Sequence, residues 1–317
     1  MCLDSVVNQT LRDVEIACVD DGSTDGSAAI LEDLAARDGR FHVLTQANAG
    51  QGSARTRGLE QATGEYVYFM DADDALAEPD ALSRLAETME AKRLDVLFFD
   101  ARTAVDEGAA VSESVVRASD YVRKFDYSGV YSGRELLSAF LKNREFCVSP
   151  CLMMLRRGFV DENRLRFPEA RIFYEDNIFM TRVLLAAKRA SHRPWQLYVR
   201  RVHAGSTVTS KPTLRHLRGY LACYRDVCGL LAQDNWDRRT RAVLVDRRVV
   251  YKLHVRRMFD AHPELADEMR RESVAESAEL ADILAYPLRE KVVNAFRCLR
   301  DRGAFYTVKR VLFGRQP

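Results

Sequence analysis

The chain has 317 residues, enough for one large domain or two smaller ones at ~100–200 residues each. Hydrophobic residues make up 47% and charged residues 30%, which supplies a packed core and excludes a disordered chain. The 48 Lys+Arg against 46 Asp+Glu leave a net charge of +2, too balanced for a dedicated nucleic-acid binder. No apolar run approaches the roughly 18–20 residues of a membrane span. Met1-Cys2-Leu3-Asp4 has neither the basic nor the apolar region of a secretion signal. The seven cysteines are scattered, with no pair at two-residue spacing, so a disulfide scaffold or structural zinc site is not expected and a reduced cytoplasm is. The charge is unevenly spread. Residues 215–317 hold 21 Lys+Arg and 14 Asp+Glu, while residues 1–214 hold 27 and 32. An acidic front and a basic back suggest two modules with different partners.

In chain order, Leu3–Leu11 reads as a helix and its end. Val14–Val19 is a short apolar strand, broken by Asp20-Asp21-Gly22-Ser23. Ile30, Leu31, Leu34 and Ala35 share a helix face that Gly39 ends. Phe41–Thr45 is a second strand, Gly50–Ala62 a helix, and Glu65–Met70 a third strand running into Asp71-Ala72-Asp73-Asp74. Pro79 suits the first turn of a helix that reaches Lys92, and Leu94–Phe99 is a fourth strand. This alternation predicts an α/β fold with parallel strands and helices on both faces. Ligands bind beyond the carboxyl ends of such strands, so both acidic clusters should point into one crevice. No strand precedes the first helix, and the chain as written is expected to lack one.

Residues 103–130 are polar and irregular. Ser132-Gly133-Arg134-Glu135 has capping-box spacing and opens a helix to Lys142. Val148–Leu155 is strand-like, Glu175–Lys188 helical and Trp195–Val202 strand-like. Helical patterns fill the rest, which divides the chain into residues 1–213 and a basic helical region, 214–317.

Asp71 and Asp73 alternate along an extended chain and so share one face. Two carboxylates so placed suit a hard divalent cation, Mg²⁺ or Mn²⁺, with places left for phosphate. A solvated acidic turn explains the same three residues. Asp20–Ser27 offers short polar side chains and two glycines, which let a backbone approach a ligand closely; a plain strand-to-helix connection is the other reading.

Taken together, Val19-Asp20-Asp21-Gly22-Ser23-Thr24-Asp25, Asn48-Ala49-Gly50, Ala54-Arg55, Gly64-Glu65-Tyr66 and Phe69-Met70-Asp71-Ala72-Asp73-Asp74 closely resemble the family 2 glycosyltransferases of the GT-A fold. Ser5–Leu11 is similar to the helix ahead of that family's nucleotide motif. The resemblance covers about residues 1–210. It implies an inverting, metal-dependent transferase using a nucleotide sugar, with a mixed, mostly parallel GT-A sheet. Position by position, it implies that Asp20 or Asp21, with Ser23, holds the uracil or ribose of a UDP-sugar. It places Asp71 and Asp73 at the metal, Asp73 as the more direct ligand, and Arg55 at the donor. Thr56 departs from the Asn usual beside that Arg, and a surface ion pair is the other reading of Arg55. The family's first strand, with its Pro, aromatic and Asn, has no counterpart here.

Glu175-Asp176 opens an apolar helix after Phe167-Pro168 and Phe173-Tyr174. In the resembling family an acidic pair there supplies the base, which assigns Asp176 as base and Glu175 as its support. Inversion needs one carboxylate to take the acceptor proton. The bland reading is that both acids favour a helix N-terminus. Arg200–Thr207 resembles the family's next segment, where arginines close on diphosphate, and His203 is a candidate third metal ligand or an ordinary structural histidine. Basic amphipathic stretches at 238–257 and 286–317 would suit peripheral contact with an anionic membrane or a solvated helix face. The expected acceptor is a glycan or lipid-linked glycan in cell-envelope polysaccharide synthesis, at the inner face of the plasma membrane. A non-catalytic remnant serving as an interaction module is the alternative. A nucleotidyltransferase would need a glycine- and lysine-rich phosphate loop, which is not present.

Overall fold

The computed structural model describes residues 1–105, 121–168, 171–202, 212–233 and 235–285. It divides into two compact units, Met1–Lys211 and Pro212–Pro317.

The first unit begins with α1 (Cys2–Val7), shorter than its sequence pattern, and β1 (Ile16–Asp20). Then come α2 (Ser27–Arg37), β2 (Phe41–Thr45), α3 (Gln51–Gln61), β3 (Tyr66–Tyr68), β4 (Ala75–Leu76), α4 (Ala81–Lys92) and β5 (Val96–Val105). Helix α5 (Gly133–Asn143) precedes a 3₁₀ turn at Pro150–Leu152, β6 (Met153–Arg156), α6 (Arg157–Glu162), α7 (Glu175–Ala186) and β7 (Ala190–Val202). The strand expected over Val148–Leu155 starts late because Pro150 fixes its own φ and has no N–H for a ladder. The capping box of α5 is formed: Ser132 Oγ accepts from the Glu135 amide, and Glu135 accepts from the Ser132 amide.

Two sheets form. β1 and β2 pair in parallel. The second sheet has the order β3-β6-β5-β7-β4. Only β5 and β7 are parallel neighbours within it; the other three pairings are antiparallel. Strands β3 and β5 do run the same way, as the strand–helix alternation predicts. They are not neighbours, because β6 arrives from later in the chain and pairs between them. The sheet is mixed, with more antiparallel pairing than the alternation alone suggests.

β5 explains the helices on both faces. Leu97 and Phe99 join a core with Leu82, Leu85 and Met89 of α4. Phe98 points the other way and meets Phe140 of α5 edge-on at 5.6 Å. The run Val96–Phe99 is apolar throughout because both faces are covered. Gln9, 1% exposed, fastens the chain after α1 to the start of α4. Its amide donates to the Ser5 and Glu78 carbonyls and its oxygen accepts from the Leu82 amide.

The second unit holds α8 (Leu214–Ala232), α9 (Arg238–Ala261), α10 (Glu264–Glu272) and α11 (Val274–Leu284). Leu217, Leu221, Val255, Met269 and Ile283 share its core. Arg218 pairs with Glu272 and Glu276 at 2.9 and 3.0 Å. Two basic residues of the 238–257 stretch, Arg247 and Lys252, are buried at 6% and 5% exposure, so the whole stretch is not a solvated basic face. The 286–317 stretch lies outside the described residues.

Candidate active site

Helix α3 joins the two acidic clusters. Gly50, with φ +93°, caps its N-terminus in a conformation that favours glycine. The turn before the helix is held by Asp21. Its Oδ1 accepts from the Gln46 side chain at 2.7 Å and the Ala49 amide at 2.8 Å, and its Oδ2 from the Gly50 amide at 2.8 Å. Burial opposes ionisation of Asp21, but these hydrogen bonds outweigh it and hold its carboxyl below the usual range. Asp20 is buried and caps its own turn, accepting from the Ser23 amide at 2.9 Å. Ser23 is exposed.

On α3, Gln51 and Arg55 are four residues apart and so share a face. Both reach the same oxygen across the crevice: Asp71 Oδ1 accepts from Gln51 at 3.0 Å and from Arg55 Nη2 at 2.7 Å. The other end of the guanidinium, Nη1, donates to Glu175 Oε1 at 3.0 Å. Arg55 thus bridges the turn after β3 and the first residue of α7. Its side chain is 10% exposed, and its guanidinium lies 5.5 Å from the Phe167 ring centroid. Burial pulls the guanidinium pKa down, and the Asp71 and Glu175 carboxylates more than reverse that, so it stays charged.

An aromatic trio holds the pieces in place. Phe69, two residues before Asp71, meets Phe167 and Phe179 edge-on at 5.3 and 5.8 Å. Phe167 stacks on Phe179 of α7 at 4.0 Å. The Phe167 amide donates to Thr56 Oγ1 at 3.2 Å, which is what the threonine beside Arg55 does here. Gly52 lets α3 and α7 touch: a Cβ there would sit 2.9 Å from Glu175 Cγ and 3.3 Å from the Pro168 carbonyl oxygen.

Helix α7 starts with Tyr174 in a left-handed conformation at φ +68°, unusual for a bulky residue. Glu175 is buried at 6% exposure. Burial and the neighbouring Asp176 raise its pKa, and Arg55 opposes them. Asp176 is partly buried, and its Oδ1 accepts from the Asn177 amide at 2.8 Å and side chain at 3.2 Å. Burial pushes its carboxyl above the usual range, against Arg55 and the Asn177 hydrogen bonds.

Arg55, Asp71 and Glu175 therefore meet directly, with Asp176 beside them. Asp73 is exposed on the turn after β3. His203 lies outside the described residues. Three contributors were missed from sequence. Gln51 was findable from its four-residue spacing to Arg55. Asp74 is buried and accepts from the Tyr198 hydroxyl at 2.6 Å and the Arg201 amide at 2.8 Å, tying the acidic turn to β7. Tyr198 also accepts from the Asp71 amide at 3.3 Å. No local pattern marks Tyr198, because its partners are more than 120 residues away.

An α/β fold that gathers carboxylates beyond its strand ends places them where ligands of such folds bind. A profile for glycosyl transferase family 2 matches residues 1–164, and the chain belongs to that family. The putative glycosyltransferase EpsH of Bacillus subtilis is 29% identical over 237 residues, 74% of this chain and 65% of EpsH. The uncharacterized glycosyltransferase YibD of Escherichia coli is 32% identical over 202 residues, 64% of this chain and 57% of YibD. The chain thus spans less than two thirds of the length of these relatives. Residues 1–349 of S. aureus TarS, solved in complex with UDP-GlcNAc, superpose with a TM-score of 0.65 at 21% identity, covering 98% of this chain and 84% of that one. That likeness establishes the fold, GT-A.

Proposed function

We propose that the chain is an inverting glycosyltransferase moving a sugar from a nucleoside diphosphate, foremost a UDP-sugar, to a hydroxyl of a glycan or lipid-linked glycan. The observation that carries this is the meeting of Asp71, Arg55 and Glu175 beside Asp176, a carboxylate whose pKa is raised. A base tuned upward accepts a proton more readily near neutral pH. The Asn177 amide and side chain both bond Asp176 Oδ1, and Oδ2 is the oxygen proposed to meet the acceptor hydroxyl. Inversion needs no covalent intermediate, so one base suffices. Glu175 supports it by holding Arg55 at the first turn of α7. Asp20, Asp21 and Ser23 form the side of the crevice where the base and ribose would lie; in this state Asp21 already builds the turn.

Asp71 and Asp73 would hold Mg²⁺ or Mn²⁺. The chemistry fits: both are hard oxygen donors on one turn, and a cationic group already sits on Asp71. Among the described residues no cluster of three His, Cys, Asp or Glu is set for a metal. Mg²⁺ commonly takes one or two carboxylates and completes its shell with phosphate and water. When bound, the cation neutralises charge on the leaving diphosphate. TarS with its UDP-GlcNAc supports a UDP donor. A place in cell-envelope polysaccharide synthesis, on the cytoplasmic side of the membrane, belongs to the same proposal. For peripheral contact with an anionic membrane, the start of α9 presents the exposed Arg238, Arg239 and Arg241. No described helix is long and apolar enough to cross a membrane.

The test is calorimetric titration of UDP with and without Mn²⁺, followed by sugar turnover for wild type and Asp176→Asn. Metal-dependent UDP binding is expected. The variant should keep that binding and lose roughly 100-fold or more in turnover, the scale of a missing general base. Absent UDP binding, or near-normal turnover in the variant, overturns the proposal.

A further inference from the structure

We propose that Arg55 is a built-in counter-ion: it occupies the acidic turn until a divalent cation takes over Asp71, and it keeps its other nitrogen on Glu175 throughout. This rests on the metal site proposed above and deepens it.

The argument starts from the fork of the guanidinium. Its two terminal nitrogens serve different elements, Nη2 the turn after β3 and Nη1 the first residue of α7. Each contact is charge-assisted, and the side chain is nearly shielded from water. Without Arg55 or a cation at the turn, Asp71, Glu175 and Asp176 would face one another as three acids, Glu175 buried and the other two partly so. Arg55 offsets them. A divalent ion on Asp71 would stand within a few ångströms of the guanidinium, and two cations that close repel strongly. Asp71 Oδ1 cannot keep both at full strength. The Glu175 contact stops Arg55 from leaving, so its displacement is a swing about Nη1. The Phe167 ring supplies a surface along which the planar group can move. The swing carries positive charge away from the donor turn and toward the first turn of α7, next to Asp176. Arg55 is on this reading a positioning residue that couples arrival of the cation to the base helix.

The test uses Mn²⁺ alone, without nucleotide, on wild type, Arg55→Gln, Arg55→Lys and an Asp73→Ala control. With the competitor removed, Arg55→Gln should bind Mn²⁺ about tenfold more tightly than wild type and gain more thermal stability from it. Arg55→Lys keeps a cation at Asp71 and should bind Mn²⁺ as wild type does. A purely structural role would lower the melting temperature of both variants and leave the Mn²⁺ response unchanged. Equal Mn²⁺ affinity in wild type and Arg55→Gln, abolished by Asp73→Ala, overturns the counter-ion and leaves the metal site standing. No Mn²⁺ binding in any variant overturns both. Should Arg55→Gln fail to fold, the arginine side-chain nitrogen signals of wild type decide the matter. Titration with Mg²⁺ should move the Arg55 signal, and an unmoved signal overturns the proposal.

Discussion

Glycine 52 and glycine 58 lie on the same helix and face different neighbours, which makes them a matched pair. In a helix interior, alanine is favoured over glycine by about 1 kcal/mol. At Gly58 the new methyl would meet only Val19 Cγ2 at 3.5 Å, an ordinary contact, so Gly58→Ala should realise that gain. At Gly52 it would meet Glu175 Cγ at 2.9 Å and the Pro168 carbonyl at 3.3 Å. Neither neighbour yields easily. Glu175 is held by Arg55, and the other atom is backbone. Overpacking of this kind costs about 1–3 kcal/mol. The gain and the cost oppose each other, so the two variants should differ by about 2 kcal/mol, with Gly52→Ala the less stable. In a unit of this size that is roughly 4–8 °C in melting temperature. Thermal unfolding of both variants, side by side, measures it. If Gly52→Ala melts with or above Gly58→Ala, α3 and α7 are not in the tight contact described, and the placement of Glu175 against Arg55 fails with it.

Asp74 should make stability depend on pH. Burial pushes its carboxyl up to about 6, hydrogen bonds from Tyr198 and Arg201 oppose this, and Asp73 and Asp71 add to it. A folded pKa above the unfolded value of about 3.9 means the contribution is complete below pH 4 and lost as pH rises through 6. At 1.36 kcal/mol per pKa unit, about 3 kcal/mol is at stake. In chelator, the stability of wild type relative to Asp74→Asn should fall by that order between pH 4 and pH 7; a constant difference would sink the assignment. Phe179 is fully buried and stacked on Phe167, so Phe179→Ala should cost about 3–5 kcal/mol in denaturant unfolding. A loss under 1 kcal/mol would mean the aromatic trio does not hold the site.

Most elements of the first unit were legible because their signals are local; the two-residue β4 and the short α6 were not, and β5 runs on to Val105, into the stretch expected to be irregular from residue 103. Phe41–Thr45 is a strand over the residues its apolar run marks. Ser132 and Glu135 close the capping box their spacing predicts, and α3 touches both acidic clusters, Asp21 through the turn before it and Asp71 through Arg55. Strand order was not legible. β6 reads only as an apolar run after Pro150, and nothing near Met153–Arg156 says it will pair between β3 and β5. The candidate site divides the same way. Carboxylates at strand ends can be read from order and spacing. The bridge from Arg55 to Glu175 spans 120 residues and the Tyr198–Asp74 bond 124, and only the folded chain brings them together.

The late arrival of β6 also sets the order in which this protein can be built during synthesis. β3 and β5 are complete by Val105, yet the strand that joins them ends at Arg156. At about 5–20 residues per second, the ribosome needs several seconds to make the intervening stretch. Through that interval the nascent chain carries two apolar strands with unpaired edges, the kind of surface that recruits chaperones or neighbouring chains. The parallel partner of β5, β7, comes later still. Slowed translation across residues 106–156 is expected to lower the yield of folded protein, an effect set before Glu175 and Asp176 are made.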